Sequence, residues 1–500
     1  MRKLSRFNSA ARQREWRRAL VRLRDVLRLL AAPRLLSVPR FFAFSFFITV
    51  CLFVVSPQAL DARAQTRRRT PAAKAQTGDA ARARDEAAAS LVRAVKLLQE
   101  GRSDEAEPLV RRALSAEPRN PDAHALLGVI LDQRGQTREA EAEYRAAIRL
   151  RPKSVPARAN LGVLLAREGR YDEAVAAFRA VLADAPGHPQ ATFNLGVALF
   201  NLRRYEEAAS LLSSPAAQTQ NAPETYYYLG LIASARGRAE EAAEFWQRAL
   251  SLRENYPEVN FALAEELRRQ RRYEGAAEFY ERAAREDPSK LVYHVRLGGV
   301  LMLLSRYDRA LEVFRGAAER FPQSAEAEYF VGVAARGRGD YDASEAALRK
   351  SLALKADNVD ALAQLGFVVG ERGRDEEAEQ ILRRALALDA RHFYANYDLG
   401  RMLVRGRRYE EAIRVLEGAS RIRERDAGVH YQLFIAYSRL KQTADAEREL
   451  ALFKRLDEER KARRGAGEEE NIEDTLPTPP TQMPAAPSEP ESLRRDGAAP

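Results

Sequence analysis

The chain has 500 residues, of which 46% are hydrophobic and 31% charged, with one cysteine and a formal net charge of +11. That length has room for several domains, and a lone Cys51 excludes a disulfide framework within the chain. The charge is not spread like a nucleic-acid footprint: residues 1–40 hold twelve Lys/Arg against two acidic residues, leaving 70 basic against 69 acidic elsewhere, without the basic excess that phosphate binding requires.

The basic lead, 1–40, runs into fifteen uncharged residues from Phe41 to Val55, FFAFSFFITVCLFVV. Ser56-Pro57 closes this segment, and Ala62-Arg63-Ala64 precedes Gln65. The pattern reads as a secretory signal peptide cleaved after Ala64 or as an uncleaved membrane anchor. Fifteen helical residues span roughly 22 Å, short of the ~30 Å hydrocarbon core, which argues for the first. The long basic lead argues for the second. Residues 12–30 also suit a basic amphipathic helix on an anionic surface, with Trp16, Leu20, Leu23, Leu27 and Leu30 on one face. Either way, the positive-inside rule keeps residues 1–40 cytoplasmic and sends the chain beyond Val55 to the periplasmic or other extracytoplasmic side. Ile48-Thr49-Val50 lacks the small residue that a lipoprotein site at Cys51 would need. Residues 56–86 read as a linker, with 65–86 a polar tether.

From Ala87 to Arg460 a 34-residue pattern recurs eleven times with no insertion or deletion, the signature of a solenoid. One marker is a small residue: Ala94, Gly128, Gly162, Gly196, Gly230, Ala264, Gly298, Gly332, Gly366 and Gly400, with Phe434 ending the series. A second lies twelve residues later, from Ala106 through Ser344 to Ala446. Each copy predicts two helices. In the third, Leu161, Leu164 and Leu165 share one face, Glu168-Gly169-Arg170 turns, and Ala174, Phe178, Val181 and Leu182 share the next face before Pro186. Glycine inside a helix costs roughly 1 kcal/mol against alanine, so eight of them imply close helix approach. In the fourth copy, Ser213-Ser214-Pro215 interrupts the second helix; it is expected to end near Ser213, with 213–222 a softer joint and Gln218 to Asn221 a loop.

These residues resemble the tetratricopeptide repeat family, whose pattern the third copy matches as Leu161-Gly162, Tyr171, Ala174, Phe178 and Pro186. The resemblance covers about three quarters of the chain. It implies an all-α fold, a right-handed α-solenoid of antiparallel helix pairs, with first helices lining a concave groove and second helices forming the back. It also implies that the fifth residue of each copy faces the groove. Those positions become aromatic from the fourth copy, which makes Phe193, Tyr227, Phe261, Tyr329, Tyr397 and Tyr431, together with Tyr228, Phe330 and Tyr394, the candidate partner contacts. Some relatives clamp a C-terminal carboxylate with Lys, Arg and Asn. Here Asn160 and Asn194 fit, but the flanking cations are missing.

Little remains for chemistry. His124, His294 and His430 fall at the fourth position of their copies, and His188 and His392 at the last; none forms an i, i+4 metal pair. Paired acids such as Glu206-Glu207 and Glu410-Glu411 recur at the start of second helices, where the dipole favours them. Residues 461–500, with seven prolines from Pro477 to Pro500 and the acidic run GEEENIED, read as a disordered tail. The expectation is a non-catalytic interaction scaffold without cofactor or metal, exported or membrane-anchored through residues 1–55, binding a protein or peptide and no nucleic acid. The alternative is a membrane-tethered assembly factor of a bacterial envelope complex.

Overall fold

The computed structural model describes residues 71–465, and every regular element among them is an α-helix. The lead, the apolar segment Phe41 to Val55, the cleavage site after Ala64 and most of the tail lie outside the described residues. The helices alternate as the period predicts: first helices such as Val155–Arg167 and Val359–Glu371, second helices such as Tyr171–Asp184 and Asp375–Leu388. The chain divides into two units, Met1–Glu254 and Asn255–Pro500, holding copies one to five and six to eleven. The first helices of neighbouring copies touch one another throughout unit one, and from the seventh copy onward in unit two. The second helices pack chiefly on first helices. Closer spacing on one side makes the first-helix face the inner, concave side of each all-α solenoid unit.

Three local devices build each copy. The residue before the first helix caps it in many copies: Asn120, His188, Ser324, Asn358, His392 and Asp426 each accept backbone N–H groups of the first turn. Fifteen residues into each copy the backbone turns left-handed. Gly169 has φ 75° there, and Arg203, Arg271, Ser305, Arg407 and Lys441 reach φ 56–61° at the same register. The N–H of Arg170 donates to Leu165 O at 2.9 Å and that of Gly169 to Ala166 O at 3.1 Å, the paired bonds of a Schellman motif. The third device explains the periodic glycines. A Cβ on Gly162 would lie 2.6 Å from the Phe178 ring, and one on Gly366 2.6 Å from Leu382. The large side chain sixteen residues later sits on the glycine, so the close approach is side chain onto backbone rather than backbone onto backbone.

Three expectations need correction. The stretch read as a tether, 65–86, is helical from Pro71, because its Ala, Arg and Glu residues are strong helix formers and extend the first helix of copy one to Pro71–Gln99. The last helix runs Thr443–Gly465, into the residues read as tail; Lys461, Arg463 and Arg464 suit its negative C-terminal end. In copy four the second helix is Tyr205–Leu212, ending where Ser213 was expected to stop it. Gln218 to Asn221, expected as loop, are helical within Pro215–Ala235. Pro215 suits a first helical position because no N–H is needed there, and Ser214 Oγ accepts the Ala217 N–H at 3.4 Å. That helix is not straight. Thr225 Oγ1 donates to Ala217 O at 3.1 Å and Tyr226 Oη to Gln218 Oε1 at 3.3 Å. Eight residues span about 12 Å along a straight helix, so the chain bends sharply at Pro223, the register position of Pro189 and Pro257.

Candidate functional site

The first-helix faces hold the nine aromatic candidates, and burial divides them. Phe193, Tyr227, Tyr228, Phe261, Tyr329 and Phe330 are buried. In unit one, Tyr228 meets Phe193 and Phe200 edge-on at 6.0 and 5.5 Å, and Trp246 Nε1 donates to Tyr227 O at 3.2 Å. In unit two, Phe261 packs on Tyr280 and Tyr293, while Phe330 stacks on Phe314 at 5.2 Å. These six are packing residues between helices, which corrects their reading as partner contacts. Periodicity placed them on the right face but did not reveal how tightly neighbouring first helices close over it. Tyr394 and Tyr397 are half-buried and Tyr431 is 42% exposed. The Arg423 guanidinium lies over Phe393 and Tyr394, 4.2 and 4.9 Å from the ring centroids. Tyr431 joins Phe453 at 5.1 Å and Phe434 at 6.4 Å on the terminal copy.

Polar groups on the same face of unit two were not singled out by the sequence pattern. Asp398 is 9% exposed, and burial pushes its carboxyl up to about 6, against the nearby charges of Arg401 and Arg336. Arg401 donates to Glu371 at 2.8 Å. It also lies over Phe367, 5.2 Å from the centroid, and Arg336 lies over the same ring at 4.8 Å. Phe367, Glu371, Asp398, Arg401 and Arg405 line a cleft between copies nine and ten. Burial raises the Tyr329 hydroxyl well above its usual range, with Asp360 raising it further and Arg336 opposing. That hydroxyl and Gln364 Oε1 are buried without a hydrogen-bond partner. Asn160 and Asn194, the candidate clamp residues, are buried, and Asn194 Oδ1 accepts from Gln190.

The histidines have local partners. His124 Nδ1 meets Glu143 at 2.6 Å and its Nε2 the Pro118 carbonyl at 3.0 Å; His430 repeats this with Glu449 at 2.7 Å and the Glu424 carbonyl at 2.9 Å. Among the described residues, no three His, Cys, Asp or Glu side chains converge as a metal site. No described helix is long and apolar enough to cross a membrane.

Family models match four parts of the chain. Tetratricopeptide repeat models match residues 159–223, 97–162 and 223–256, and the C-terminal domain of cilia and flagella-associated protein 70 matches 251–472. No curated protein matches the chain. Among solved structures, PilF of Pseudomonas aeruginosa is 27% identical over 42% of this chain and 96% of its own, with a TM-score of 0.36. Yeast Tom70 is 14% identical over 75% and 96%, with a TM-score of 0.34. MamA of Desulfovibrio magneticus RS-1 is 21% identical over 34% and 95%, with a TM-score of 0.31.

Proposed function

We propose, from the premise that this chain is a tetratricopeptide repeat protein, that it is a non-catalytic scaffold whose first-helix faces bind extended segments of partner proteins. Members of that family generally act as protein-interaction scaffolds. The observation that carries the reading is the contrast between the two faces of unit two. The first-helix side presents half-exposed aromatics, Tyr394, Tyr397 and Tyr431, beside buried polar groups without partners. Aromatic anchors of this kind dominate binding energy at interfaces. The second-helix side carries paired charges instead, such as Arg408 with Glu411 at 2.7 Å and with Glu379 at 2.6 Å; exposed pairs of this kind favour solubility over recognition.

The scaffold operates beyond the cytoplasmic membrane in this reading, supported by the basic lead and the apolar run Phe41 to Val55. Protease accessibility in spheroplasts, with N-terminal sequencing for Gln65, tests it. Digestion of the repeats in intact spheroplasts is expected; protection until the cytoplasmic membrane is broken would sink the export reading. For the binding face, a photo-crosslinking residue at Tyr397 or Tyr431 is compared with one at Arg383 on a second helix. The expected result is partner capture from the first two positions only. Equal capture from all three would refute the face assignment.

A further inference from the structure

Arg336 stands apart from its neighbours. On the first helices of unit two, Arg401 pairs with Glu371 and Arg405 with Asp375 at 2.5 Å. The Arg336 guanidinium has no hydrogen bond or ion pair among the described residues and rests instead on the Phe367 ring. It lies seven residues after Tyr329, hence on the same helix face. The Tyr329 hydroxyl is buried and unpartnered, and Arg336 is among the charged groups around it. On the adjacent first helix, Gln364 Oε1 is likewise buried and unpartnered, one turn before Phe367. A buried polar atom left unsatisfied is rare and unfavourable, and here a donor, an acceptor and a guanidinium without a counter-ion share one face.

We propose that this face binds a carboxylate-bearing side chain on an extended polypeptide, with Arg336 and Tyr329 donating to the carboxylate and Gln364 accepting a backbone N–H of the same segment. This rests on the scaffold reading and adds the chemistry of the segment. Charge complementarity selects an acidic over a basic one. Asp360 is engaged by His392 Nε2 at 3.1 Å and Glu371 by Arg401, so the acids nearby have cations while Arg336 has none. The buried Asp398 has Arg401 beside it at 3.8 Å. Phe367 holds the guanidinium by its ring face and leaves its N–H edge to form the charge-assisted bonds.

The test uses the full-length chain and three synthetic peptides, identical but for a central Glu, Gln or Lys, in fluorescence anisotropy. The Glu peptide is expected to bind about tenfold more tightly than the Gln peptide, a difference that charge-assisted bonds supply. Arg336→Gln should bring the Glu peptide to the level of the Gln peptide and leave the latter unchanged, which also shows that the variant is folded. Tyr329→Phe should weaken the Glu peptide several-fold. Preference for Lys, or a Glu preference that survives Arg336→Gln, overturns the carboxylate site and leaves the scaffold reading standing. Absence of binding by all three peptides, together with failure of the face-specific crosslinking, overturns both. Tighter Glu-peptide binding after the acids of 468–474 are replaced by amides would make the chain's own tail the occupant and overturn the partner assignment.

Discussion

Gly298 and Gly299 are neighbours on one helix with opposite surroundings. A Cβ on Gly298 would enter the Phe314 ring, whereas one on Gly299 would meet nothing within 4 Å. Gly298→Ala is therefore expected to destabilise unit two by about 1–3 kcal/mol through overpacking. Gly299→Ala should stabilise it by about 0.5–1 kcal/mol through helix propensity. Urea denaturation followed by circular dichroism separates the two, and equal effects would discard the seat geometry. Asp398 gives a pH test. Its carboxyl is raised to about 6 in the fold, above the unfolded value near 3.9, so the native state holds this proton more tightly. Stability is thus expected to fall as pH rises from about 4 to 6 and to stay lower above that. Asp398→Asn should flatten this slope and raise stability at neutral pH by on the order of 1–3 kcal/mol, read from melts at about pH 4, 5, 6 and 7.5; an unchanged slope would contradict the burial argument. The seats were legible in the sequence as a small residue every 34 positions. Asp398, Gln364 and Arg336 were not, since polar residues at these positions look solvent-facing until neighbouring first helices close over them.

At the scale of the element, the left-handed turn recurs in all eleven copies, yet five carry Arg, Ser or Lys where glycine would be unstrained. Arg407→Gly is expected to stabilise its copy by roughly 0.5–1 kcal/mol, the left-handed strain relieved exceeding the added chain entropy. Gly373→Ala should cost about 1–2 kcal/mol. Denaturation midpoints moving the other way would show that the turn is set by something else. The sequence showed this turn only as a glycine or basic position, because a side chain carries no mark of its own φ. In copy four, two helix ends and the bend at Pro223 fall close together along the chain. Hydrogen exchange is expected to be fastest, within the repeats of unit one, at the amides from Ser213 to Ala222. Protection there equal to that of Val155–Arg167 would contradict a joint.

At the scale of the whole molecule, charge is confined to one end. Residues 1–40 carry almost the entire net charge of +11, and the helical copies are balanced. A chain beginning at Gln65 is expected to pass through heparin at physiological salt while the full chain is retained; retention of the shorter chain would reveal a basic patch among the helices. Helix-pair architecture was legible almost residue by residue, because each copy repeats the same steric problem. The described helices nonetheless extend beyond it at both ends, where alanine-rich and basic residues continue a helix that no marker announces. The left-handed turns have a further consequence, in the order of events during folding. Copies one, two, three and five in unit one, and eight and nine in unit two, turn on glycine; copies four, six, seven, ten and eleven turn on strained residues. A helix pair closes most readily where its turn is unstrained, so each unit has its own place to begin: the first three copies in one, the central pair in the other. Repeats that depend on neighbours for stability then grow outward from these nuclei. Copies eight and nine, which hold Arg336, Tyr329 and Gln364, would form before the copies that flank them.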